Sequence, residues 1–410
     1  MLSKEENELL AQTGPGTAMG DLMRRYWLPA LLSEELPERD GTPLKLRLLG
    51  EDLVAFRDTE GRVGILDEAC SHRCASLAYG RNEEGGLRCL YHGWKYDVAG
   101  NILETPPEPA ESTFKSRIKQ PSCLVREHAG IVWAYMGPKH LAPFFPEFEW
   151  THYPAEQVSL AKTIQECNWA QAVEGDIDSA HTDYLHSSDV RGRPKDHAPR
   201  FEIEDTKYGY RYAAIRKPDE DADKRKWVRV TLFAAPFYTF TPPLRITRPN
   251  GEIYETATHR AYVPIDDASH SFFSCSVSRF GPIGDAQRDA GVESGYRPAG
   301  NRENMHLQDR VAMKAGNWTG IKGIRAQDRA MTESMGLLAP RYKEHLGATD
   351  LAVIRFRRRM IDAAKAFMAG GEPLGLDPSI PYHELRSEEM VVPADAHWTM
   401  VVDAPELAQA

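Results

Sequence analysis

Residues 70–72 read Cys70-Ser71-His72, and after sixteen intervening residues the chain reads Cys89-Leu90-Tyr91-His92. Each short segment offers one thiolate and one imidazole. That division suits a [2Fe–2S] cluster in which two thiolates hold one iron and two imidazoles hold the other. Imidazoles are neutral where thiolates are anionic, so such a cluster carries less negative charge and has a higher potential than an all-cysteine one. A Cys2His2 zinc site has the same ligand count, but zinc fingers group Cys with Cys and His with His. Glycines at 80, 85, 86 and 93 fit loops whose backbone N–H groups approach sulfur. The expected ligands are Cys70, His72, Cys89 and His92.

Outward from these loops, short apolar runs at Leu46–Leu49, Leu53–Phe56, Val63–Leu66 and Gly130–Tyr135 alternate with turn residues such as Asp58, Gly61 and Gly100. This predicts a β-rich unit over 41–140. Residues 1–40 read as a helical segment packing on a second domain. It opens with the capping box Ser3-Lys4-Glu5-Glu6 and breaks at Gly14-Pro15-Gly16. Pro138 to Pro154 reads as a linker. Residues 141–410 read as the second domain, with a helix from Asn168 to His186 and a loop with Gly192 and Pro194. Strands follow at 201–204, 208–216, 227–233, 256–264 and 271–277, then helices at 326–336 and 350–368, the last closed by Gly370-Gly371. The fold class expected is α+β.

The formal charge of −10 argues against nucleic acid or an anionic membrane as partner. No apolar run approaches the roughly 20 residues of a membrane span, and the N-terminus carries no signal pattern. A reducing, cytoplasmic compartment is expected, where the six cysteines serve as metal ligands more often than as disulfides.

A cluster alone needs only part of this chain. A second constellation, Glu174-x3-Asp178-x2-His181-x4-His186, supplies two imidazoles with nearby carboxylates. On a helix, Glu174, Asp178 and His181 lie on one face, within about 60° of one another, and His186 falls roughly 140° round from His181. Either the helix breaks near Asp183 or both rings reach a metal lying off its end. Two His and one carboxylate form the facial triad of non-haem Fe(II) oxygenases. Glu174 and Asp183 are local candidates for that carboxylate. No dinucleotide fingerprint is present, so any NAD(P)H is oxidised by a partner.

Ser71-His72-Arg73 and Tyr91-His92-Gly93-Trp94-Lys95-Tyr96-Asp97 resemble the cluster loops of Rieske aromatic-ring-hydroxylating oxygenases, nearest to the phthalate dioxygenase-like α subunits. Respiratory Rieske proteins differ, since position 90 or 91 lacks their extra cysteine. Cys74 departs from the pattern, which has glycine there; a buried small thiol without chemistry is expected. The resemblance extends through Glu344-His345-Leu346-Gly347 and Arg355–Arg359. It implies a Rieske domain joined to a catalytic domain with an antiparallel sheet covered by helices, of helix-grip (TBP-like) type. It implies one [2Fe–2S] cluster and one Fe2+ per subunit, the iron held by His181, His186 and Asp328 of Gln327-Asp328-Arg329. Gln308-Asp309-Arg310 is a decoy with a similar tripeptide. Asp178 would carry electrons to His181 from His92, or less favourably His72, of a neighbour in a head-to-tail trimer or stacked hexamer. Asn168 would lie near the iron. The implied activity is hydroxylation, cis-dihydroxylation or O-demethylation of a small aromatic compound with O2, electrons coming from a separate NAD(P)H-dependent flavin/iron–sulfur reductase. A Rieske electron carrier without oxygenase chemistry is the alternative.

In the strand 208–216, alternation places Arg211 on one face and Tyr210, Tyr212 and Arg216 on the other. Arg211 and Arg216 are candidate clamps for an aromatic carboxylate. The Arg355–Arg359 run is expected as a solvated, interface or reductase-docking face.

Overall fold

The computed structural model describes residues 1–190, 194, 196–247, 253–279, 281–283 and 294–404. Gly192 of the expected loop lies outside the described residues. The chain forms two compact units, one of 13–145 with 263–266, the other of 1–12, 146–262 and 267–410.

The smaller unit is built from short antiparallel strands in three sheets. One joins Leu44–Leu48, Glu51–Arg57 and Val63–Asp67; another joins Arg81–Glu83, Gly86–Arg88, Lys95–Tyr96 and Ile102–Glu104. Their inward side chains, among them Val54, Phe56, Leu66, Leu87, Trp94 and Tyr96, form one core that also takes in Cys70 and Cys89. The third sheet corrects the expected helical 1–40 segment. α-Helix covers only Lys4–Ala11 and Ala18–Met23, with a single 3-10 turn at Ser33–Glu35, and Trp27–Leu32 is a strand paired with Ile131–Tyr135. Its apolar run Trp27-Leu28-Pro29-Ala30-Leu31-Leu32 is almost wholly buried. Pro29, which has no N–H, is accommodated on an edge strand at a register shift. The Ser3 capping box forms as read, with the Ser3 and Glu6 side chains each bonded to the other's backbone N–H at 3.1 Å.

The larger unit centres on an eight-stranded sheet among the described residues. Its main path runs Val158–Gln165, Ser269–Ser278, Ile253–Asp266, Tyr238–Thr247, Arg225–Ala234, Gly209–Arg216 and Arg200–Asp205, with Glu389–Pro393 pairing beside Arg225–Ala234. The strand Tyr238–Thr247 escapes sequence reading because Pro242-Pro243 argues against a strand; a register shift between Thr241 and Leu244 absorbs both prolines. The expected linker is ordered: Phe148 and Trp150 are buried, and Phe148 packs on Tyr238 and Tyr382.

Helices cover this sheet. On Leu351–Met368, Phe356 meets Phe233 and Trp169, and the Ala352 carbonyl accepts from the Tyr210 hydroxyl at 2.8 Å. Helices Trp169–Asp176 and Ile324–Ser334 approach closely at Gly175, where an added Cβ would sit 3.0 Å from Thr332 Cγ2. That approach brings the Asp328 helix beside the segment that follows Asp176.

Candidate functional site

The two cysteine loops repeat one geometry. Cys70 N–H bonds the Ala75 carbonyl and Cys74 N–H the Cys70 carbonyl; Cys89 N–H bonds Trp94 and Gly93 N–H bonds Cys89 in the same spacing. Each loop turns on a left-handed residue four positions after its cysteine, Cys74 at φ 57° and Gly93 at φ 74°. Cys74 is exposed, which corrects the expectation of a buried thiol; its position demands a conformation that favours glycine. Left-handed geometry costs an L-residue about 1–2 kcal/mol, and glycine's extra unfolded-state entropy offsets about 0.5–1 of that. Cys74→Gly is therefore expected to raise stability by about 0.5–1 kcal/mol in a denaturant titration, with the visible spectrum retained. An unchanged or lower midpoint would show that the left-handed strain at residue 74 is absent.

The four side chains expected as ligands converge. Cys70 and Cys89 are buried within hydrogen-bonding reach of each other, and the Tyr91 and His92 backbone N–H groups point to the Cys89 sulfur. Burial raises the Cys89 thiol, and the adjacent Cys70 sulfur adds to the rise. Two thiolates this close would repel one another, and a cationic iron held by them would relieve that repulsion. Cys70 Sγ also lies 3.0 Å from the Tyr96 hydroxyl. The His72 and His92 rings stand 4.4 Å apart, with His72 stacked on Trp94, and His72 Nδ1 is buried without a hydrogen-bond partner. An orphaned imidazole nitrogen beside a second imidazole and two paired thiols fits an Fe2S2 group.

The second centre lies in the larger unit, and a break in the expected long helix builds it. The segment Asn168–His186 forms Trp169–Asp176 and Thr182–Leu185, with 177–181 non-helical between them. The break falls before His181 rather than near Asp183. Strand Gly209–Arg216 holds it open: the Tyr212 hydroxyl donates to the Ile177 carbonyl at 2.6 Å, and Arg216 Nη2 donates to the Ser179 carbonyl at 3.0 Å. Carbonyls released from the helix are thereby satisfied, and the redirected chain aims both imidazoles at Asp328. His181 Nε2 and His186 Nε2 lie 3.4 and 2.9 Å from Asp328 Oδ1, and 3.2 Å from each other. With metal–ligand bonds of about 2.0–2.2 Å, ligands at right angles sit roughly 3.0 Å apart and tetrahedral ones roughly 3.4 Å. The observed spacings suit one metal on a shared face. Among the described residues this is the one group of three or more His, Cys, Asp or Glu so placed.

Electrostatics agree. Burial opposes charging His181, but the Asp178 and Asp328 carboxylates outweigh it and raise the imidazole to about 9. Burial likewise works against an ionised Asp328, yet the two imidazoles hold its carboxyl well below the usual range. Asp178 Oδ2 stands 3.7 Å from His181 Nδ1, the side of the ring away from Asp328. The triad forms one wall of a cavity of about 620 Å³ that Trp227, Arg229 and Arg260 also line. That volume suits a small organic substrate.

A family model described as LigXa C-terminal domain like matches residues 134–409, and the Rieske [2Fe-2S] domain model matches residues 26–122. The chain is 45% identical over 422 aligned residues to the phthalate 4,5-dioxygenase oxygenase subunit of Pseudomonas putida, covering 97% of this chain and 94% of that one. This protein belongs to the Rieske aromatic-ring-hydroxylating oxygenases. The 3-chlorobenzoate-3,4-dioxygenase oxygenase subunit of Comamonas testosteroni is 36% identical, over 97% of both chains. Dicamba monooxygenase shares the fold, with a TM-score of 0.61 at 20% identity, over 84% of this chain and 98% of that one.

Several residues expected at the Rieske oxygenase's site lie elsewhere. Asn168 is buried as a helix cap; its Oδ1 accepts from Ala170 N–H, and its Nδ2 donates to the Ala11 and Asp267 carbonyls. Arg211 faces outward, paired with Glu204 and Asp403. Arg216 is buried against Asp183 at 2.9 Å, so both guanidinium candidates and the Asp183 carboxylate are already committed. Glu174 is clamped by Arg341 and Arg357, and Asp309 caps the helix Arg310–Lys314. The Arg355–Arg359 run is likewise occupied: Arg357 is buried on Glu174, Arg355 pairs with Asp205, Arg358 with Glu6, and Arg359 donates to backbone carbonyls. Arg229, Arg260 and Gln327, which the sequence reading did not single out, line or support the cavity instead. For Gln327 a signal was present, since it directly precedes Asp328.

Proposed function

We propose that this Rieske oxygenase is the terminal component of a system that oxygenates a small aromatic carboxylate, with His181, His186 and Asp328 holding a mononuclear iron. The observation carrying this reading is the meeting of those three side chains at the wall of an organic-sized cavity, in a chain that also supplies the Rieske ligand set. Iron with a facial triad keeps positions open for O2 and substrate. A cluster held by Cys70, His72, Cys89 and His92 would store electrons that a separate NAD(P)H-dependent reductase delivers singly. Asp178, 3.7 Å from His181 Nδ1, would link that imidazole to the Rieske histidine of a neighbouring copy, in a homotrimer or a stacked hexamer. Its side chain, 26% exposed, leaves room for that second partner.

Arg229 and Arg260 orient the substrate. Each lines the cavity and is held through Nη1 by one carboxylate, Arg229 by Glu389 at 2.7 Å and Arg260 by Asp176. A guanidinium carries five N–H donors, so each keeps donors beyond its carboxylate partner for a substrate carboxylate. The relatives named for phthalate and for 3-chlorobenzoate act on carboxylated rings, which supports the same class. The test is product analysis against a panel of aromatic acids with a generic reductase. Arg229→Met and Arg260→Lys are expected to raise KM for the acid about 10–100-fold, the range of a charge-assisted hydrogen bond, with little change for the matching amide. Unchanged KM in both variants would remove the carboxylate assignment.

A further inference from the structure

We propose that Gln327 is a positioning residue for the mononuclear metal, keeping the proton of His186 on Nδ1, and that Asp189 sets which way the Gln327 amide faces. The inference rests on the reading of His186 as a metal ligand.

His186 Nε2 faces His181 Nε2 and Asp328 Oδ1, while its Nδ1 lies 2.7 Å from Gln327 Oε1. A neutral imidazole has one N–H and one lone pair, and a metal takes the lone pair. The proton must therefore sit on Nδ1, where Gln327 Oε1 is the acceptor. An amide can be turned end for end, and the turned form would present NH2 to Nδ1 and drive the proton to Nε2, against the metal. Two acceptors prevent this. Gln327 Nε2 donates to Asp189 Oδ2 at 2.7 Å and to the Ile321 carbonyl at 2.8 Å. Turned over, the amide oxygen would confront a carboxylate and a carbonyl, so the orientation follows from the neighbours alone.

The two imidazoles are thus supported differently. His181 has a carboxylate behind it, Asp178, whereas fully buried Gln327 gives His186 a neutral acceptor. With Asp178 and Asp328 already matching the charge of a divalent cation, a third acid against the ligands would leave the site net negative. Asp189, by contrast, is exposed and acts only through the amide. Gln327 and Asp328 are neighbours on one helix, so the ligand and the group that orients its partner move together.

The test is anaerobic titration of protein depleted of mononuclear iron but retaining its Rieske cluster, using Fe2+ for affinity and Co2+ for its visible spectrum. Gln327→Leu is expected to weaken binding about 10–100-fold, the usual cost of losing an outer partner of a ligating imidazole. Gln327→Glu combined with Asp189→Asn, which keeps an acceptor at Nδ1 and gives the second carboxylate oxygen a donor to face, restores binding to within a few-fold of wild type. Asp189→Ala gives an intermediate loss because the Ile321 carbonyl remains. Cluster absorbance and the thermal midpoint report folding separately, and a poorly folding leucine variant leaves the glutamate and Asp189 variants to decide. Wild-type affinity in Gln327→Leu, or in Asp189→Ala together with a lost site in the Gln327→Glu/Asp189→Asn pair, overturns the inference. Wild-type protein that takes up no metal beyond the cluster overturns the mononuclear reading itself.

Discussion

Asp328→Ala is expected to leave the reduced cluster's EPR signal at full strength while the chain loses its mononuclear iron. Among the described residues, Asp328 Oδ1 is the one anionic donor facing both Nε2 atoms, at 2.9 and 3.4 Å. Its removal takes away a ligand and the negative charge that balances half of a divalent cation. The loss of affinity should exceed the about 10–100-fold that follows removal of an outer-shell partner. The cluster signal is the internal control, because Cys70, His72, Cys89 and His92 belong to the other compact unit. Iron analysis that finds the cluster's two irons and no third agrees with this assignment; full retention of the third refutes it.

Asp178→Asn separates metal binding from electron delivery. The substitution keeps the size of the side chain and its place beside His181 Nδ1 but removes the charge. Burial raises the Asp178 carboxyl, yet His181 and the Ala180 and His181 N–H groups outweigh it and hold it below the ordinary range. The native group is therefore an anion at neutral pH. Both metals should remain in the variant. Reoxidation of the reduced cluster in a single turnover, with O2 and an aromatic acid present, should slow about 10–100-fold, as for loss of a ligand's hydrogen-bond partner. A wild-type rate would mean that electrons reach the second centre by a path that does not use Asp178.

The cluster was legible because its determinants are local: each loop carries its own cysteine and histidine within four residues. Even there, the left-handed turn at Cys74 was missed, although Gly93 at the matching place in the second loop announces it. The second centre was legible in its residues but not in its shape. The helix break at 177–181 is held by Tyr212 and Arg216, 35 and 37 residues from the carbonyls they bond, and no helical periodicity contains that information. Arg216 shows the same limit from the other side. Alternation placed Tyr210, Tyr212 and Arg216 together on one face, and all three are buried, but a face does not disclose what meets it. Asp183 and the Ser179 carbonyl meet Arg216 there. The prolines at 242 and 243 hid a strand because register shifts are set by pairing partners rather than by the strand itself.

The most direct measurement is a single turnover with 18O2: reductase-free protein, reduced beforehand at both centres, is mixed with labelled oxygen and an aromatic acid, and the product is analysed by mass. A chain that activates oxygen at the His181–His186–Asp328 site returns 18O in the ring product as the cluster reoxidises. Reoxidation with water or hydrogen peroxide as the sole reduced oxygen species, and no label in any of a panel of aromatic acids, would leave only an electron carrier.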